Sequence, residues 1–128
     1  MENSILGLQI ATRKSGDVMI LDLCGRATIG SSNDAMNLEL RKQIADGNRK
    51  LLMNLAGLTQ LDSSGLSTLV RTFASLERAG GKLKLLGPTG HVRYVLELTH
   101  LIRSIPTFDD EPSAVAAFEE TAGKSAGP

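Results

Sequence analysis

The apolar positions of this chain change period in an ordered way. Leu6, Leu8 and Ile10 alternate with small or polar residues, Lys14-Ser15-Gly16-Asp17 supplies turn chemistry, and a second apolar run extends from Val18 to Cys24. Alternation at period two, broken by such a turn, predicts a β-hairpin. Beyond Gly25, the residues Met36, Leu40 and Ile44 recur every fourth position, with Ser32-Asn33 placed to cap the start and Gly47 to stop the run. A helix is therefore expected over about 33–46. Leu51 to Leu55 is apolar apart from Asn54, as befits an interior strand covered on at least one face. Leu66, Leu69, Val70, Phe73 and Leu76 then fall at helical spacing up to Gly80-Gly81, which predicts an amphipathic helix with a glycine stop, Leu69 and Phe73 pointing inward.

Leu83 and Leu85 open another strand, ended by Gly87-Pro88, and Val92, Val95, Leu96 and Thr99 mark a third helix. A short strand is expected near Ile105, followed by a last helix capped by Asp109 or Asp110, with Pro112 in its first turn and Val115 and Phe118 on its inner face. Thr121 to Pro128 lacks docking residues and reads as a flexible tail, leaving residues 1–120 as one domain. Strands alternating with helices after an initial hairpin imply an α/β domain with a mixed sheet, parallel in its later part, of about four to five strands and about four α-helices.

Composition bounds the function. A chain of 128 residues with 41% apolar content suits a single domain around a single core. Lys plus Arg and Asp plus Glu both number 14, and aromatic residues make up 3%. With no net field and no stacking platform, direct nucleic-acid binding is not expected. The lone Cys24 has no disulfide partner and, at the end of an apolar strand, is expected to be packed rather than reactive; a cytoplasmic location fits this usage. The apolar runs are too short for membrane insertion, and no signal peptide is recognisable.

The chemistry concentrates at Asp62-Ser63-Ser64-Gly65-Leu66, where an apolar strand gives way to a helical pattern. Two hydroxyls and a carboxylate arrive at a helix start, whose unpaired N–H groups and dipole favour an added anion such as phosphate. Asp and Ser are also the ordinary N-capping residues, so a cap and nothing more is the plainer reading of the motif taken alone. Other catalytic patterns fail. Gly123-Lys124-Ser125 lacks the earlier glycine of a phosphate loop, that place being held by Phe118. His91 and His100 are spaced too widely for a metal-binding pair, and His100 is read as a residue capping a helix C-terminus. Ser64 as a hydrolase nucleophile would need Gly-x-Ser-x-Gly, but Asp62 stands in place of the first glycine. No catalytic residue, metal or cofactor is expected.

The order of elements together with this motif resembles the STAS domain of bacterial anti-sigma factor antagonists. The resemblance spans roughly Leu8 to Phe118 and rests on Leu51-Leu52-Met53-Asn54-Leu55, on Leu61-Asp62-Ser63-Ser64-Gly65-Leu66, on Gly80-Gly81 and on Val92-Arg93-Tyr94-Val95-Leu96. It implies a STAS-like α/β fold, phosphorylation at Ser64, and a partner-binding surface comprising Thr28, Asp62, Ser63, Ser64 and Gly65. The implied partner is an anti-sigma factor that is also a serine-protein kinase. The implied action is release of a sigma factor by the unphosphorylated protein, without catalysis by the protein itself. The alternative within the family is a non-switching interaction subunit of a transport or stress-signalling complex. Members often carry an acidic residue in the turn after the second strand, whereas here Gly25-Arg26-Ala27 is followed by Thr28. Thr28 can serve as a neutral contact, as a second phosphoacceptor, or as the cap of the following turn.

Overall fold

The hairpin forms as the alternation predicts: β1 (Leu8–Ser15) runs antiparallel to β2 (Val18–Ala27), with Ser15 paired to Val18 across the turn Gly16-Asp17. In this computed structural model the described residues are 7–126, with side chains described through Glu119. Leu6 and the side chains of the expected tail, 121–128, lie outside them. The chain continues through α1 (Ser31–Ala45), β3 (Lys50–Leu61), α2 (Ser63–Arg78), β4 (Lys82–Leu86), α3 (Gly90–Leu98), α4 (Leu101–Ser104), β5 (Thr107–Phe108) and α5 (Glu111–Ala126). The five strands form one sheet in the order β1-β2-β3-β4-β5, parallel from β2 onward. The expected mixed α/β sheet is thus present, with α4 as an additional single helical turn.

Strand parity explains the apolar runs. On one face Leu21 and Leu23 of β2, Leu51, Met53 and Leu55 of β3, and Leu83 and Leu85 of β4 join Met36, Leu40, Leu69, Leu76, Val92 and Leu96 of the helices in the larger core cluster. On the other face Val18, Ile20, Leu52 and Leu86 meet Ala114 and Phe118 of α5. Leu51 to Leu55 reads as an unbroken run because both faces are covered, and each such side chain removed from water contributes about 1.5–3 kcal/mol.

Several local expectations change. Helix α1 starts earlier than 33: its N-cap is Gly30, at φ 108, without a side-chain cap. Ser32 lies inside the helix and its Oγ donates to the Thr28 carbonyl at 2.9 Å. Cys24 is exposed rather than packed. It shares the strand parity of Ile20 and so faces the side covered by α5, but among the described residues the α5 cluster takes only Val18 and Ile20 from β2. Val70 is 44% exposed, while Thr68 and Thr72 take buried places on α2. Leu69 is buried and Phe73 packs partly against the larger cluster. His100 sits at φ 64 just beyond α3, and it is its backbone N–H, donating to Glu97 O at 3.1 Å, that helps close that helix.

The stop of α2 follows the sequence closely. Gly81 N–H donates to Leu76 O at 2.7 Å and Gly80 N–H to Glu77 O at 3.2 Å, with Gly80 at φ 83. These are the two bonds of a Schellman motif, which needs a left-handed residue after the cap.

Candidate functional site

Asp62 organises the site. It is the N-cap of α2, with extended backbone at φ −103, and its Oδ1 accepts from the N–H of Ser64 at 3.0 Å and of Gly65 at 3.2 Å. The same oxygen accepts from the Ser64 hydroxyl at 2.6 Å. The other oxygen, Oδ2, accepts from Ile29 N–H at 2.8 Å, across 33 residues of sequence. One carboxylate thus joins the start of α2 to the loop between β2 and α1. The Ser64 hydroxyl holds the Asp62 carboxyl below the usual carboxylate range against the opposing effect of burial, and the backbone N–H groups of Ile29, Gly65 and Ser64 act in the same direction as the hydroxyl.

Gly65 shows why the motif ends in glycine. It is buried, and an added Cβ would stand 2.6 Å from the Ala27 carbonyl oxygen and 2.5 Å from Leu61 Cδ1. Asp62 N–H also donates to Ala27 O at 3.3 Å. The close approach of α2 to the end of β2 therefore needs a residue without a side chain. Ser63 is exposed and lines an open depression with Leu66, Ser67, Val70, Arg71, Thr99 and Leu101. Ser64, the next residue, is half-buried.

Thr28 is half-buried one residue before Ile29. Its N–H donates to Ser32 Oγ at 3.3 Å, its carbonyl accepts from Ser32 Oγ at 2.9 Å and from Asn33 N–H at 3.1 Å, and its own hydroxyl lies 3.5 Å from Ser32 Oγ. The turn chemistry at Thr28 is thus carried by its backbone together with Ser32. The structure brings Thr28, Asp62, Ser63, Ser64 and Gly65 to one end of the molecule, at the C-terminal ends of β2 and β3.

Two participants escaped the sequence reading. Ile29 supplies a backbone donor to Asp62 and leaves its side chain 82% exposed; the signal was an apolar residue outside any period, between Thr28 and Gly30. Thr68, buried on α2, donates to Asn33 Oδ1 at 3.0 Å and to Ser64 O at 3.2 Å, linking α2 to α1. His91 and His100 are both exposed; Thr99 and Leu101, on either side of His100, line the same depression as Ser63. Among the described residues no group of three His, Cys, Asp or Glu could hold a metal ion. No helix of the described residues is long and apolar enough to cross a membrane.

Asp62, the carboxylate in contact with Ser64, is held toward its charged form and is a weak proton acceptor. A phosphate on Ser64 would add about −1.5 to −2 charge at a helix start that tolerates anions.

Comparison with known proteins identifies the family and the fold. Residues 9–114 match the STAS domain family. BtrV of Bordetella bronchiseptica, provisionally named an anti-sigma factor antagonist, is 28% identical over 101 residues, covering 78% of this chain and 87% of that protein. The crystal structure of an anti-sigma factor antagonist from Mycobacterium paratuberculosis superposes with a TM-score of 0.78 at 20% identity, covering 88% of this chain and 94% of that one. SpoIIAA in its unphosphorylated form gives a TM-score of 0.74 at 19% identity, covering 88% of this chain and 97% of that one. The Bacillus protein SpoIIAA has also been solved in a phosphorylated form. At these identities the structural likenesses are likenesses of fold.

Proposed function

The chain belongs to the STAS domain family, and from that premise we propose that it is an anti-sigma factor antagonist switched by phosphorylation of Ser64. Unmodified, it docks the start of α2 and the loop between β2 and α1 onto an anti-sigma factor, so that a sigma factor is released. The observation that carries this reading is the Ser64 hydroxyl, half-buried beside open surface and bonded at 2.6 Å to the capping Asp62. Names of relatives as anti-sigma factor antagonists support it. The protein itself acts in the cytoplasm and catalyses nothing; the anti-sigma factor supplies the kinase.

The switch is one of charge. Phosphate on Ser64 removes the hydroxyl proton donated to Asp62 and sets a dianion beside a carboxylate. In the free protein, water and the positive end of the α2 dipole accommodate it, the N–H groups of Ser64 and Gly65 being already bonded to Asp62. Inside a desolvated interface shaped for a hydroxyl, a loss of about 3–4 kcal/mol weakens binding by two to three decades. Thr28, engaged with Ser32 rather than offering a carboxylate, acts as a neutral contact.

The test is phosphosite mapping after incubation with ATP and the protein captured by this chain from its source cells. Labelling at Ser64 alone, abolished in Ser64→Ala, is expected, with the captured protein a small ATPase of the kinase type. Labelling at Thr28, or capture of a transporter ATPase without phosphorylation, would replace this reading with the alternative of a different acceptor or a non-switching subunit.

A further inference from the structure

Between α1 and α2 lies a groove of about 310 Å³ lined by Asn37, Arg41, Ile44, Arg71, Thr72 and Ser75. The lining holds two cations and no carboxylate. Among the described residues neither Arg41 nor Arg71 makes an ion pair, whereas Arg13, Lys42, Lys50, Lys82 and Arg93 all do. Of the acids nearby, Asp46 pairs with Lys42 at 3.0 Å and Glu77 with Lys82 at 3.4 Å, while Glu39 accepts from the neutral Gln43 amide at 2.7 Å and keeps its charge; none of the three pairs with Arg41 or Arg71. Arg78, donating to Ser75 Oγ at 3.4 Å, adds a further cation at the far end. Beyond Arg41 the groove opens into a depression bounded by Leu38, Lys42, Ile44, Ala45 and Ser75, where Leu38 is 71% exposed. In a chain of net charge zero, this leaves a cationic strip whose two arginines have no ion-pair partner among the described residues, with an apolar shoulder.

The strip begins at the phosphorylatable turn. Arg71 Nη2 donates to Thr68 Oγ1 at 3.3 Å, and Thr68 Oγ1 donates to Ser64 O at 3.2 Å. Ser64, Thr68, Arg71 and Ser75 succeed one another along one side of α2, and seven residues of helix place Arg71 roughly 10 Å along the axis from Ser64.

We propose that this groove is the second part of the partner surface and receives an acidic segment of the partner, with carboxylates at Arg41 and Arg71 and an apolar side chain against Leu38 and Ile44. Guanidinium forks match carboxylates in this way. The identity of the partner rests on the antagonist reading above; the selectivity for acidic peptide rests on the groove alone. The proposal also gives the switch its sign. An acidic segment lying along Arg71 brings negative charge within about one Debye length of Ser64, where a phosphate repels it.

The test uses a fluorescent peptide of four glutamates around a leucine, its glutamine counterpart, and the full chain at low salt. Anisotropy should give binding of the acidic peptide and about tenfold weaker binding of the glutamine peptide. R41E/R71E should weaken the acidic peptide about tenfold, whereas K14E/R103E, an equal charge change outside the groove, should change it less than about threefold. Amide shifts on titration should fall in 37–45 and 68–76. If R41E/R71E fails to fold by circular dichroism, R41Q/R71Q serves, with about fivefold loss expected. Equal losses in groove and control variants, shifts confined to other segments, or displacement of the peptide by equimolar inorganic phosphate would overturn the proposal, the last in favour of a small-anion site. A groove that passes while partner affinity ignores Ser64 phosphorylation would refute the switch and leave the groove standing.

Discussion

Asp62 spends its two oxygens on different tasks, so two substitutions separate them. Oδ1 caps α2 through Ser64 and Gly65, and Oδ2 ties in Ile29. Asp62→Asn keeps an oxygen for the cap but presents an amide to the Ile29 N–H, so it should lose only the tie, about 1 kcal/mol. Asp62→Ala loses cap and tie together, about 2–3 kcal/mol. For a domain of 128 residues each kcal/mol lowers the melting temperature by about 3–5 °C, so the expected order is native, Asn, then Ala, spread over about 10 °C. Urea unfolding followed by far-UV circular dichroism at neutral pH measures the ladder. An Asn variant no more stable than the Ala variant, or an Ala variant within about 0.5 kcal/mol of native, would refute the view that one carboxylate joins the loop to the helix.

Three further outcomes are expected. Leu69→Ala should cost about 2–5 kcal/mol and Val70→Ala less than about 0.5 in the same assay, because one side chain is buried and its neighbour is half out. Exposed Cys24 should react with a thiol reagent in the folded protein about as fast as in urea; protection by folding would contradict its placement. Arg13 bridges Asp22 at 2.7 Å and Glu111 at 2.7 Å, and its bonds hold both carboxyls below their usual range. The stability this gives is complete above the unfolded carboxylate values of about 4 and is lost as pH falls through the lower folded values, so the native chain and Arg13→Gln should converge in strong acid and differ by a constant amount from about pH 5 to 8.

The elements that the sequence made legible are those where one physical rule dominates. Leu51 to Leu55 stood out as a continuous apolar run and the helix ending at Gly80-Gly81 had a clear period and a glycine stop, and the burial of the one and the Schellman bonds of the other follow. The Asp62 cap was legible for the same reason, since side-chain oxygen and backbone donors lie within three residues. What escaped depends on contacts distant in sequence. Cys24 looked packed because its run is apolar, but its exposure is decided by how much of β2 the distant helix α5 covers. The tie from Ile29 to Asp62 crosses 33 positions. Gly65 read as part of a binding motif, and its steric need became visible only with Ala27 behind it. The α1 cap was misplaced because Gly30 with positive φ competes with the polar pair Ser32-Asn33 that follows.

The central claim is that one covalent charge on Ser64 decides partner binding. Its direct measurement is the affinity of the anti-sigma partner for unmodified chain and for chain carrying phosphoserine at position 64, in one buffer, with circular dichroism confirming that both are folded. The account predicts a loss of about 100- to 1000-fold on phosphorylation, with Ser64→Ala binding like the unmodified chain and Ser64→Asp binding poorly. Equal affinity of the phosphorylated and unmodified forms would contradict it.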